Sequence, residues 1–408
     1  VALCEHHNWI GGAWRAAQGE RYYVRRAPAV ETERGDFETL DHRWPEASAD
    51  DVRGAVEAAA VSAQRWLARP REQRWSALYE LAEALTREVD VAAIADDLGL
   101  EPHEYAPHAA EHELRLFEGL ELYREGPSSQ GVSAFGAHWS DGAAALLARA
   151  APRLIAGETL VVWADPRAPH AAEALARGLE TSTFPSGVVN VLHGASREGR
   201  DALLGTPGLA GVRWKAPQSD LESLAERFRA RLNAGWEFWR CANTSVVVCE
   251  RDNLDEVSAE LVERAFSRAA TLSGQHPGQV ARVLCHQRLY SRLCEQLRRR
   301  LGADPDLERP VPALDDDLER HVLECWAQGM DEGATPICGE PPTARERSRA
   351  EGVGGLVFVN VDPSGALCRS SRPAPVLSLV RVASDEEGRE LRAQLDLGPR
   401  WSPDSLPT

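Results

Sequence analysis

Residues 159–192 read Thr159-Leu-Val-Val-Trp-Ala-Asp-Pro-Arg-Ala-Pro-His-Ala-Ala-Glu-Ala-Leu-Ala-Arg-Gly-Leu-Glu-Thr-Ser-Thr-Phe-Pro-Ser-Gly-Val-Val-Asn-Val-Leu192. Two short apolar runs, Thr159–Ala164 and Gly187–Leu192, are bounded by Gly, Pro or polar residues, the signature of strands buried on both faces. Between them, His170–Glu180 has helical composition and spacing. A strand–helix–strand unit of this kind predicts parallel strands with helices covering both faces of the sheet. The alternation continues outward, with strands at Val132–Ala137 and Val212–Lys215 and helices at Ala143–Ile155 and Arg197–Leu204. Upstream, Ser48 opens a helix as its N-cap with Asp51 at the third helical position, close to a capping box. Arg71–Val89 gives a further amphipathic helix.

Downstream the pattern restarts with strand Ser245–Cys249, helix Leu254–Thr271, strand Val280–Cys285 and helices Gln287–Leu301 and Asp315–Gly329. Strands near Leu356–Val361 and Val376–Val382 follow, with loops over Gly302–Pro312 and Pro341–Gly354 and a frayed end from Gly398. The fold class is therefore α/β. A Rossmann-type parallel sheet domain is expected over 1–240, a second α/β domain over 241–390 and a tail over 391–408.

A chain of 408 residues, 43% hydrophobic, can bury two sizeable cores. Its eight cysteines form no CxxC and no regular framework, which suits reduced, buried thiols and predicts a cytoplasmic protein. The longest apolar run, near Gly142–Ile155, carries Arg149 and Arg153 and is too short to span a bilayer, so no membrane association is expected. A net charge of -17 argues against nucleic acid as a partner. Lys215 is the only lysine, beside 45 arginines, a bias read as compositional.

Several stretches, taken in order, resemble the aldehyde dehydrogenase superfamily. Asn8-Trp-Ile-Gly-Gly-Ala-Trp14 is similar to the family's opening strand turn, and Phe184-Pro-Ser-Gly-Val-Val-Asn-Val-Leu-His-Gly194 to its helix-to-strand connection. Ala151–Val162 and Val311–Gly339 fit the same layout, and Gly274-Gln275 before the Val280 strand resembles the frame of the nucleophilic cysteine. The resemblance implies a dinucleotide-binding domain and a catalytic domain, the latter C-terminally truncated.

At the functional positions the resemblance breaks. Pro277 stands where the family places its catalytic thiol, and proline cannot begin thiohemiacetal chemistry. Ser140, in His138-Trp139-Ser140-Asp141, stands at the oxyanion-binding asparagine, and Trp239 falls at the general-base glutamate. For the cofactor, Trp163 replaces the ribose-binding lysine, Trp214 opens the turn under the pyrophosphate, and Ser371 falls at the glutamate that holds the nicotinamide ribose. Catalytic and cofactor-binding residues are thus expected to be absent, with no cofactor. The indoles of Trp163, Trp214 and Trp239 are expected to fill the former nucleotide cleft, unless local realignment turns them to solvent.

Two other constellations carry chemistry on paper. Cys241 and His276 can form a thiolate pair, against a plain reading as a buried thiol and a loop histidine. His108-Ala-Ala-Glu-His112 fits an H-x-x-E-H zinc signature, against a solvated polar helix face. The plain readings are preferred, and no metal is expected. The chain resembles the second, non-catalytic domain of the family-sixteen branch. That implies a catalytically inactive homologue acting as a structural or regulatory subunit, with a protein partner such as an active aldehyde dehydrogenase or a larger assembly. The alternative is an NAD(P)-dependent aldehyde oxidoreductase with residual or altered activity.

Overall fold

The structure is a computed structural model describing residues 2–26, 30–31, 37–38, 40–123, 125, 127–232, 235–302, 314, 316–341, 353–396 and 400–401. The expected loops at 302–312 and 341–354 lie almost wholly outside these residues.

The expected βαβ unit forms as strand Thr159–Trp163, helix Pro169–Thr181 and strand Val189–Leu192. It sits inside an eight-stranded sheet, whose order is Arg400–Trp401, Trp236–Arg240, Gly211–Ala216, Val132–Gly136, Thr159–Trp163, Val189–Leu192, Asn8–Ile10 and Ala13–Arg15. The five middle strands are parallel, and the hairpin Asn8–Arg15 and Arg400–Trp401 close the two edges antiparallel. Strand alternation divides the side chains between two cores. Leu160 and Val162 face helices Arg71–Glu88, Gly142–Ala156 and Pro169–Thr181. Val161 and Trp163 face Ala49–Ala68, Arg197–Leu204 and Gln218–Arg227.

The Ser48 capping box closes as read. Ser48 Oγ accepts from Asp51 N, and Asp51 Oδ2 accepts from Ser48 N at 2.8 Å. Arg74, only 2% exposed, locks two helix ends together. Its guanidinium donates to Leu67 O at 2.9 Å, to Arg69 O, and to Ile155 O at 2.8 Å, satisfying carbonyls that helix termini leave without partners.

A second sheet orders Thr244–Val248, Val280–His286, Val376–Val382, Leu356–Val359 and Thr335–Cys338, all parallel except the last. Three elements depart from expectation. The single helix expected over Leu254–Thr271 breaks at Ser267, whose side chain accepts from Ala270 N and starts a new turn. Trp236–Arg240 adds a strand that the sequence reading did not list, paired parallel to Gly211–Ala216. Helix Asp385–Leu395 crosses the expected start of the tail at 391, and Arg400–Trp401 joins the first sheet; the other residues expected to fray from 398 lie outside the described residues.

A third sheet was not anticipated. Ala2–Glu5 runs parallel to Leu40–Pro45, which pairs antiparallel to Tyr22–Arg26, and the three lie beside the first domain. Among the described residues, no helix is long and apolar enough to cross a membrane.

Candidate functional site

The site lies where the parallel strands of the first sheet end and the loop 271–279 of the second domain meets them. Val132–Gly136 runs into His138-Trp139-Ser140-Asp141, which leads into helix Gly142–Ala156. Strand Gly211–Ala216 brings Lys215 alongside. Lys215 Nζ donates to Ser140 Oγ and to Asp141 Oδ1, both at 2.8 Å, and Arg149 pairs with the same carboxylate. Ser140 Oγ is also 2.8 Å from His138 Nδ1, and His138 Nε2 is 3.3 Å from Cys241 Sγ.

Burial sets the protonation of this cluster. It lowers Lys215 to about 8 and raises the Cys241 thiol to about 11, although Lys215 and Arg167 pull the thiol back down. Burial also holds His138 well below the usual imidazole range, reinforced by Lys215, Arg167 and Arg149. The arrangement is a neutral thiol against a neutral imidazole, beside a cation held by Asp141.

The facing loop retains unusual backbone. Leu272 and Ser273 both have φ of 50°, and Gly274 follows at 85°. A Cβ on Gly274 would lie 2.7 Å from Pro375 Cα, so glycine is required for that approach. Left-handed non-glycine residues cost about 1–3 kcal/mol each and persist where the surroundings over-determine them. Here Thr271 Oγ1 accepts from Gly274 N at 3.1 Å, and Gln275 Oε1 accepts from Leu314 N at 3.0 Å. The loop delivers Pro277 to a cavity of about 40 Å³, shared with His138, Trp139, Cys241, Gln275 and Arg372.

The other expected positions separate into two places. Trp163 and Trp214 are 4% and 8% exposed, at the carboxyl end of the parallel strands. A Cβ on Gly194 would come 2.6 Å from Trp163 Cζ2, one on Gly199 2.6 Å from Trp163 Cη2, and one on Gly136 2.7 Å from Trp214 Cδ2. These two indoles therefore do not point to solvent. Trp239 is half-buried with its ring 5.4 Å from the Arg149 guanidinium, so it fills less than the other two. Ser371 lies across in the second domain, where its carbonyl accepts from Asn243 N at 3.3 Å.

Both candidate constellations come out differently from their spelling. The histidine beside Cys241 is His138, not His276. His276 instead sets its ring edge-on to Trp139 at 5.7 Å, and burial lowers it to about 4. His108 and His112 do not form a solvated face; both are half-buried and line a cavity with Tyr105, Trp139, Ser140 and His276. Glu111 is exposed and paired with Arg115, so the three residues do not converge on one point. Sequence reasoning missed Lys215, whose signal was its singularity in the chain, and the Asp141–Arg149 pair, which had no signal.

Sequence and structure comparisons identify the fold and the family. The chain is 22% identical over 410 residues to 1-pyrroline-5-carboxylate dehydrogenase 2 of Bacillus subtilis (strain 168), covering 93% of this chain and 78% of that protein. It is 25% identical over 366 residues to N-succinylglutamate 5-semialdehyde dehydrogenase of Cronobacter sakazakii, covering 81% and 70%. The crystal structure of lactaldehyde dehydrogenase from Escherichia coli superposes with a TM-score of 0.81 at 19% identity, over 96% of this chain and 84% of that one, a likeness of fold. The model of the aldehyde dehydrogenase family matches residues 104–398, more than half of the 408, and the chain belongs to that family.

Proposed function

We propose that this aldehyde dehydrogenase homologue does not oxidise aldehydes and acts as a structural or regulatory subunit that docks on an active enzyme or a larger assembly. One observation carries the reading. The carboxyl ends of parallel strands, where doubly wound sheets hold dinucleotides, are filled here by Trp163 and Trp214 pressed onto Gly194, Gly199 and Gly136. Two further features support it. The cavity beside Pro277 measures about 40 Å³, against roughly 300–1,000 Å³ for a small-molecule site. Ser140, at the oxyanion position, already holds Lys215 and His138. A fold kept with its core intact but without these functions is suited to presenting a surface.

The test is titration of the purified protein with NAD and NADP, followed by assay with aldehydes. No saturable binding below the millimolar range and no reduced cofactor are expected. Saturable binding in the micromolar range overturns the reading. Native mass measurement from the source cell that returns a lone monomer overturns the subunit role.

A second reading has one observation in its favour. Cys241 lines the same cavity as Pro277, so a relocated thiol has access to the place where the family performs its chemistry. On that reading the protein would be an NAD(P)-dependent oxidoreductase for an aldehyde such as the semialdehydes named for its relatives. The raised thiol weighs against it.

A further inference from the structure

The third sheet carries a cluster that neither the site nor the proposed function uses. In the parallel pair Ala2–Glu5 and Leu40–Pro45, Cys4 lies directly opposite His42. Because strand side chains alternate, Cys4 and His6 share a face with His42 and Trp44. The first turn of helix Pro169–Thr181 meets that face with His170 and Glu173, an i,i+3 pair on one side of the helix.

The distances are short. His6 Nε2 is 2.8 Å from His42 Nδ1, and His6 Nδ1 is 3.0 Å from Glu173 Oε2. Cys4, His6 and His42 each place one ligand atom within 4.8 Å of the others'. His42 and His170 meet edge-on with centroids 4.8 Å apart, and His170 Nδ1 lies 3.0 Å from Asp97 Oδ2. The Trp44 ring stacks on His6 at 3.7 Å and 7°, fixing its plane. Behind them His193, fully buried, has no hydrogen-bond partner on either ring nitrogen.

We infer that Cys4, His6 and His42 form a binding site for a zinc-class transition-metal ion. A thiolate with two imidazoles is a borderline-soft set that matches zinc and discriminates against magnesium and calcium, which take oxygen. Glu173 holds the far nitrogen of His6, and Asp97 that of His170. This is the carboxylate–imidazole arrangement that orients metal-ligating histidines. His170 is placed to complete the set or to stand behind it. Binding releases the Cys4 thiol proton to solvent, and the proton between His6 Nε2 and His42 Nδ1 gives way to the ion, leaving each neutral ring its N–H on the outer nitrogen, with no change in oxidation state. The ion clamps the two parallel strands of the N-terminal sheet, which Glu173 ties to the first domain through His6, a structural role independent of aldehyde chemistry.

The experiment uses the full chain purified without a polyhistidine tag and stripped of metal. Equilibrium dialysis against zinc should leave one ion per chain, with no comparable retention of magnesium. Affinity should fall at least tenfold in Cys4→Ser and in His42→Ala, and remain unchanged in Cys249→Ser. Equal zinc retention by Cys4→Ser, or none by wild type, overturns the site. Cobalt substitution of the wild type provides a second readout that needs no variant to fold. A thiolate-to-cobalt charge-transfer band that zinc abolishes supports the assignment, and its absence refutes it.

Discussion

Trp163 offers the most direct test of how the carboxyl ends of the parallel strands are packed. Replacing it with alanine removes an indole that is 4% exposed. Burying about 150–250 Å² at about 25 cal/mol per Å² is worth about 4–6 kcal/mol. That is an upper figure, because real unfolded chains already bury part of this area. Buried tryptophan truncations cost about 3–5 kcal/mol, and a loss near 3 kcal/mol is expected here. Gly194→Ala approaches the same ring from outside. Its Cβ would lie 2.6 Å from Cζ2, while its other close neighbour is Glu46 Oε1 at 3.0 Å, the tip of a flexible side chain. Overpacking of this kind costs about 1–3 kcal/mol. Once the indole is gone the added methyl meets only the flexible tip of Glu46, so the double variant should cost less than the sum of the singles by about 1–2 kcal/mol. Urea unfolding of the four proteins, monitored by far-ultraviolet circular dichroism, measures the cycle. A Trp163→Ala loss below about 1 kcal/mol, or strict additivity, would refute the idea that the indole packs this face.

Other outcomes follow from the same geometry. Lys215 is lowered to about 8 by burial, so the unfolded chain binds more protons than the folded one as pH rises from there toward 10.5, and folded stability gains over that window. Relative to Lys215→Met, the wild type should therefore become more stable between pH 8 and 10.5; a flat difference would show the ammonium to be freely solvated. Cys241, 2% exposed and pushed up to about 11, should react with a thiol probe more slowly than the partly exposed Cys249, and fastest reaction at Cys241 would instead favour a relocated nucleophile. Arg74→Met strips charged donors from Leu67 O and Ile155 O and should destabilise the chain by about 2–4 kcal/mol in guanidinium unfolding. A change under about 0.5 kcal/mol would mean that water takes over those carbonyls.

The parallel core was legible because its signals are local. The runs at Thr159 and Gly187 are too short and too apolar to be anything but covered strands, and Ser48 with Asp51 spells its own cap. The N-terminal sheet was illegible for the opposite reason. Cys4 meets His42 across a long stretch of chain, and neither strand announces its partner in composition. At the site, resemblance located Pro277, Ser140, Trp163 and Trp214 in sequence, yet gave no contacts. The resemblance put Cys241 and His276 at neighbouring functional positions, with a plain buried thiol and loop histidine preferred; packing sets Cys241 beside His138, which arrives from the end of a distant strand. The helix break at Ser267 shows the same limit, since a serine inside an apolar helical pattern becomes a cap only when the loop after it turns back.

Lys215 has a consequence outside folding and catalysis. The chain's single ε-amine is tied to a hydroxyl and a carboxylate, with its side chain only 20% exposed, while 45 guanidiniums carry the remaining cationic charge. Guanidinium stays protonated at any physiological pH and is no substrate for acylation. Acetyl, ubiquitin and amine-directed cross-linkers thus find almost no lysine handle on this fold. Within these residues the surface potential cannot be retuned by lysine acylation away from this one site, and lysine-directed tethering has only this one partly buried amine to use.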